Sequence, residues 1–233
     1  MSRTLLLTDV TAMAADAVCI AGIDVKSGQT MRLNEPQPTQ RLLELVGGLA
    51  PADVIEVDCR PLRGVDAPHS EDCAWTPRSL KKKRVAPADE ILRLLGKTSL
   101  SGVIEAFGPP SFVEPGRNRG WAPGSGIRSL ASVPATGVRI ALADSGRGRV
   151  TFTDAGGGVW ANVPFQDLVV RNHAGGCAAC ATDYLGNLQR EFEAEDTVIR
   201  IGLTRPYAGE EGAEQLCWLQ VTNVLGKARA HFL

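Results

Sequence analysis

Two strand-like runs near the C-terminus constrain the fold of this sequence more than any other feature. In Thr197–Arg205 (TVIRIGLTR), Ile199, Ile201 and Leu203 alternate with Arg200, Gly202 and Thr204. In Glu214–Val224 (EQLCWLQVTNV), Cys217, Leu219 and Val221 alternate with Trp218, Gln220 and Thr222. Side chains on a strand alternate faces, so each run has one apolar face and one mixed face. Paired as a hairpin through PYAGEEGA, the runs put their apolar sets on one face and Arg200 and Trp218 on the other. A flat ring beside a guanidinium on an exposed sheet face is how small β-barrels hold a stacked base and its phosphate. The competing reading covers Trp218 with a second layer of core, because large aromatics are mostly buried.

The rest of the chain is also strand-rich. Leu5–Thr8, Val18–Ile23, Thr30–Leu33 and Val54–Cys59 read as strands, with a short helix at 41–48 that glycines stop. Val138–Leu142, Val150–Thr153 and Val159–Val163 follow later, separated by the turns DSGRGR and DAGGG, and YLGNLQREFEAED reads as a short helix. Between these sets, PHSEDCAWTPRSLKKKRVAP is polar and turn-rich, and ADEILRLLGKTSLSGVIEAFG reads as helix. GPPSFVEPGRNRGWAPGSG reads as loop. The expected fold class is therefore mainly β with short helices: two small OB-like (oligonucleotide/oligosaccharide-binding) barrels joined by a helical and loop segment. The expected boundaries are 1–110 for the first barrel, 111–136 for a Gly/Pro/Arg-rich linker and 137–233 for the second. A single large mixed β domain is the rival.

LLLTDVT at 5–11, VCIAGID at 18–24, GGL at 47–49, PHSED at 68–72, and IRIGLTR with CWLQVTNV near the end resemble a bacterial family of dual OB-domain proteins. These are mostly strand and turn residues, from both ends of the chain. The resemblance implies two OB-like barrels and a nucleic-acid ligand, in a mobile-element or defence context. It supplies no catalytic residue.

Charge refines the partner. The whole chain carries a formal net charge of −1, yet Arg78 to Arg128 holds ten Lys or Arg against four Asp or Glu. Such asymmetry predicts a basic surface on a neutral body. Arg78, Lys81, Lys82, Lys83 and Arg84 form the densest run, suited to phosphate contact without sequence choice. Arg117, Arg119 and Trp121 lie in GRNRGW, where an Arg-rich loop with one aromatic can order on a single strand. With Arg200, Arg205 and Trp218 these residues make the expected interface for single-stranded DNA or RNA. Each has a plainer reading, as a solvated turn or a ring tucked into a seam.

His173, Cys177 and Cys180 form H-x-x-x-C-x-x-C, a spacing that can share one zinc, with His69 and Cys73 repeating H-x-x-x-C upstream. Unpaired core thiols are the alternative. PHSED offers His69, Glu71 and Asp72 to a metal-dependent enzyme of nucleic-acid metabolism, although no second carboxylate motif accompanies it. Neither a P-loop nor a nucleophile elbow is present. The expectation is a non-enzymatic binder without a required cofactor, or alternatively a protein-interaction module. No apolar run approaches the ~20 residues of a membrane span. Asp9, Thr11 and Asp16 interrupt the N-terminal stretch, so no signal peptide is expected. A cytoplasmic protein is expected, with Cys19, Cys59 and Cys217 as inward-facing free thiols.

Overall fold

A computed structural model of the chain describes residues 1–13, 15–113, 119–143, 147–166, 185–187, 189–190, 197–208 and 214–226. Its first part closes into a five-stranded barrel. Strands β1 (Ser2–Ala12), β2 (Val18–Asp24) and β3 (Thr30–Glu35) form an antiparallel meander. Strand β4 (Asp53–Pro61) returns antiparallel to β1. Strand β5 (Asp72–Trp75) then pairs antiparallel with β4 and parallel with β3, which closes the ring. The alternating apolar residues point inward. Leu5, Leu7, Val18, Ile20, Met31, Leu33, Ile55 and Val57 share one buried cluster. Helix α1 (Gln40–Leu45) lies between β3 and β4 in sequence and adds Leu43 to that cluster. Thr39 starts it by accepting a hydrogen bond from the Leu42 amide at 3.2 Å. A 3₁₀ turn (Pro77–Ser79) leads to β6 (Lys81–Val85), an edge strand along β4.

Helices α2 (Ala88–Thr98) and α3 (Val103–Phe107) connect the barrel to a second, seven-stranded sheet. Its strands are β7 (Phe112–Val113), β8 (Arg119–Trp121), β9 (Leu130–Leu142), β10 (Gly148–Asp154), β11 (Val159–Pro164), β12 (Thr197–Leu203) and β13 (Cys217–Leu225). The order is β11-β10-β9-β12-β13-β8-β7. The sheet curls, because a parallel bridge between Phe165 and Val221 brings the end of β11 back to β13. The inner face holds Val133, Phe152, Trp160, Ile199, Ile201, Leu203, Cys217, Leu219 and Val221, packed on α3. Asp154 seats that helix: its buried carboxylate accepts from the Val103 amide (2.9 Å) and from the Trp160 indole (2.7 Å). A Cβ at Gly102 would stand 2.7 Å from the same carboxylate, so only glycine fits there.

The terminal hairpin forms as expected, with the predicted apolar residues on one face. Elsewhere the structure departs from the sequence expectations. The segment 111–136 contains β7, β8 and the first half of β9, all part of the second sheet, rather than a free linker. The polar stretch after residue 68 contains β5 and β6. Both are short and lack apolar alternation; β6 is exposed along its whole length. The long helix is two helices, broken where the Leu100 amide bonds the Ser132 carbonyl at 2.9 Å, and Ile104 is left 49% exposed. Cys59 and Cys217 are buried free thiols, as is Cys73, but Cys19 is only half-buried. Its strand neighbours Val18 and Ile20 fill the barrel interior, so Cys19 faces outward.

A third cluster joins the two parts. Outward residues of the barrel (Leu6, Ile23, Val54) pack with Ile91 and Leu95 of α2 and with Leu225 of β13. No helix among the described residues is long and apolar enough to cross a membrane.

Candidate nucleic-acid interface

The mixed face of the β12–β13 hairpin divides into two regions of different character. One is a sealed polar seam against the barrel. Arg200 is 1% exposed and reaches Asp9 of β1 with Nε (3.1 Å) and Nη2 (2.7 Å), while Nη1 donates to Ser132 Oγ at 2.8 Å. Asp9 also accepts from the hydroxyls of Thr222 and Thr8. Asn223 donates to the Thr8 carbonyl at 2.8 Å. Both charged residues sit at register shifts, Asp9 in β1 and Arg200 in β12. Bulges re-aim side chains in this way. Arg200 is thus an internal ion-pair partner and not the exposed phosphate contact that alternation suggested. The missed signal was Asp9, the lone carboxylate of β1, set in a stretch that is buried from Leu5 onward.

The seam continues through the PHSED segment. Asp72 accepts from Arg32 Nε at 2.6 Å, from Asn34 at 3.2 Å and from Arg205. Glu71 accepts from the Ser129 and Leu130 amides at 2.8 and 3.1 Å and from the Ser129 hydroxyl at 3.1 Å. Both carboxylates therefore tie barrel to sheet, instead of converging with His69 as metal ligands. His69 is 2% exposed and accepts from Arg32 Nη2 at Nδ1 (3.0 Å), because a guanidinium can only donate. Its ring proton then sits on Nε2. Burial first, then the nearby Arg32 and Arg205 guanidiniums, push its pKa down to about 3. Among the described residues no group of three His, Cys, Asp or Glu is placed to hold a metal ion. His173, Cys177 and Cys180, the proposed zinc ligands, lie outside the described residues, as does Arg117.

The other region is an aromatic row at the sheet edge. Phe112, Gly120 and Trp218 are register partners across β7, β8 and β13. The Phe112 and Trp218 rings meet edge-to-face, with centroids 6.0 Å apart, and a Cβ at Gly120 between them in the register would strike Leu216 at 2.8 Å. Tyr207 also lies against Trp218, with ring centroids 6.3 Å apart. The Trp218 indole donates to the Tyr207 carbonyl at 3.3 Å, which fixes the loop after β12 beside it. Trp218 is half-buried, while Phe112 and Tyr207 are 44% and 49% exposed. Trp218 is therefore neither fully in the core nor alone: it anchors two exposed rings that the sequence reading missed. Their signal was an aromatic in each Gly/Pro-rich segment next to a strand.

The remaining expected contacts are spread out. Trp121 is 1% exposed, packs on Phe107 and donates to the Gly108 carbonyl at 3.0 Å, so it is core and not a stacking platform. Arg119 lies over the Trp160 ring, 4.3 Å from its centroid, which ties β8 to β11. Arg205 stays exposed, two residues from Tyr207, although it pairs with Asp72. Arg78 is exposed on the 3₁₀ turn. Lys81, Lys82, Lys83 and Arg84 are exposed on β6, but three of them face acids: Lys82 with Asp53, Lys83 with Glu56, and Arg84 with Glu90 at 2.9, 3.2 and 2.7 Å. The run offers less free positive charge than its composition implied.

The chain matches no family model, and neither a curated protein nor a solved structure is significantly similar to it.

Proposed function

We propose that this protein is a tandem of two OB-like units that binds single-stranded nucleic acid along the Phe112–Trp218–Tyr207 row. The OB reading is supported by strand order. The closed barrel runs β1-β2-β3-β5-β4 with a helix between its third and fourth strands. The second sheet repeats the pattern: β9, β10 and β11 form the meander, β12 pairs with β9, β13 pairs with β12, and the parallel bridge brings β13 to the end of β11.

The single observation that carries the ligand reading is Trp218 in contact with two rings open to solvent, Phe112 in register with it through Gly120 and Tyr207 from the loop after β12. Each base stacked on an aromatic contributes about 1–3 kcal/mol, and every base has a π-face, so such a row is tolerant of sequence. Arg205, exposed two residues before Tyr207, would have to share its guanidinium between Asp72 and a phosphate of the strand. The test is binding of fluorescent single-stranded DNA, single-stranded RNA and duplex DNA at low and moderate salt. The expected result is salt-sensitive binding with single-strand preference. Folded protein that binds none of the three would end the proposal. Affinity for a protein partner that survives high salt, with no nucleic-acid binding, would make the row a protein-docking surface.

A further inference from the structure

A second cationic site lies on the first barrel, away from the row. A cleft of about 440 Å³ opens between the β2–β3 turn and helix α2. Lys26 lines one wall; Arg93 and Lys97, four residues apart and so on one helix face, line the other. Among the described residues none of these three cations has a carboxylate within ion-pair distance. Glu90 is the one acid of the lining; both Arg84 nitrogens hold it at 2.7 and 2.8 Å, and Arg93 attracts it more weakly. The cleft therefore concentrates positive potential on a chain whose formal net charge is −1.

The walls are also held in place. Asp24 accepts from the Lys26 and Ser27 amides at 2.8 and 3.2 Å, and its carbonyl from the Gly28 amide at 2.8 Å. Gly28 has φ +74, and a Cβ there would sit 3.4 Å from Thr98 Cγ2, so turn and helix approach closely. Val25 (41% exposed) and Leu94 give the cleft an apolar side. Its volume falls within the ~300–1,000 Å³ typical of small-molecule sites.

We infer that this cleft binds phosphate groups attached to a flat or apolar moiety: a free nucleotide, or the terminal nucleotide of a bound strand. Three cations lining one cleft match a di- or triphosphate, and the apolar side gives the attached ring a surface. The inference does not depend on the aromatic row.

The experiment titrates the full chain with ADP and, separately, with a 5′-phosphorylated single-stranded 12-mer, for wild type, Arg93→Ala/Lys97→Ala and Lys26→Ala. All three residues are exposed, so an unchanged urea midpoint will show that the variants fold. Arg139→Ala, exposed on β9, controls for loss of charge alone. ADP binding weakened at least tenfold by both cleft variants and not by Arg139→Ala supports a nucleotide site. Absence of ADP binding, with a similar selective loss for the 12-mer, supports the strand terminus as the ligand. Cleft variants equal to wild type for both ligands, or a wild type that binds neither, overturn the inference. Row variants such as Phe112→Ala report on the other site, so the two readings fail separately.

Discussion

Arg200 and Trp218 project from the same face of one hairpin, yet their fates differ. Arg200 is sealed beneath the first barrel by Asp9, Ser132 and their hydroxyl neighbours, whereas Trp218 stands at the rim against two exposed rings. A buried guanidinium persists only if each nitrogen finds a partner, and Asp9 of the barrel together with Ser132 of the neighbouring strand β9 supplies them. A rim aromatic needs no such partner and keeps a surface for something else. Charge is therefore a poor guide to the ligand here, because several of the charges hold the molecule together.

The largest effect should come from breaking the seam. Arg200→Met leaves Asp9 buried and unpaired, which should cost about 3–5 kcal/mol in urea unfolding. Asp9→Leu combined with Arg200→Met should recover much of that loss. A near-neutral single substitution would show that the seam is not what joins barrel to sheet. On the other side of the comparison, Phe112→Ala and Tyr207→Ala should each weaken single-strand binding by about 1–3 kcal/mol. Their urea midpoints should barely move, since both rings are largely exposed.

The seam should also carry a pH signature. His69 titrates near 3 when folded and from the ordinary 6.5 when unfolded. The unfolded chain thus takes up a proton that the folded chain refuses. Stability should be complete above pH 6.5 and fall as pH drops from 6.5 toward 3, at most by about 1.4 kcal/mol per pH unit from this group. His69→Asn should flatten that part of the urea-midpoint profile; an identical profile would show that His69 is not the cause. The smallest effect concerns β6. Replacing Lys81, Lys82 and Lys83 by Ala should change the log–log salt slope of strand binding by about one or less, because two of the three face carboxylates. A change near three would return the basic run to the interface.

Much of the β framework was legible because alternation with period two needs only one buried face. The terminal hairpin, β4 and β10 show it, while β2 was readable only as a short apolar run, being buried along nearly its whole length. Strands β5 to β8 did not, because partners rather than their own pattern define them. The Lys81–Val85 strand buries nothing, and Phe112–Val113 is two residues long. At the candidate site, Trp218 was readable from its place on the mixed face. Phe112 and Tyr207 were not, since only the register through Gly120 and the turn of the loop after β12 bring them beside it. Arg200 was misread for a similar reason: a strand pattern shows which face a side chain takes, but not whether the five-stranded barrel covers that face.

The most direct test of the central claim is the affinity of Trp218→Ala for a fluorescent single-stranded oligonucleotide, with the urea midpoint measured on the same preparation. If Trp218 stacks on a base, the variant folds and its affinity falls by about 1–3 kcal/mol. A folded variant that binds as tightly as wild type would contradict the account.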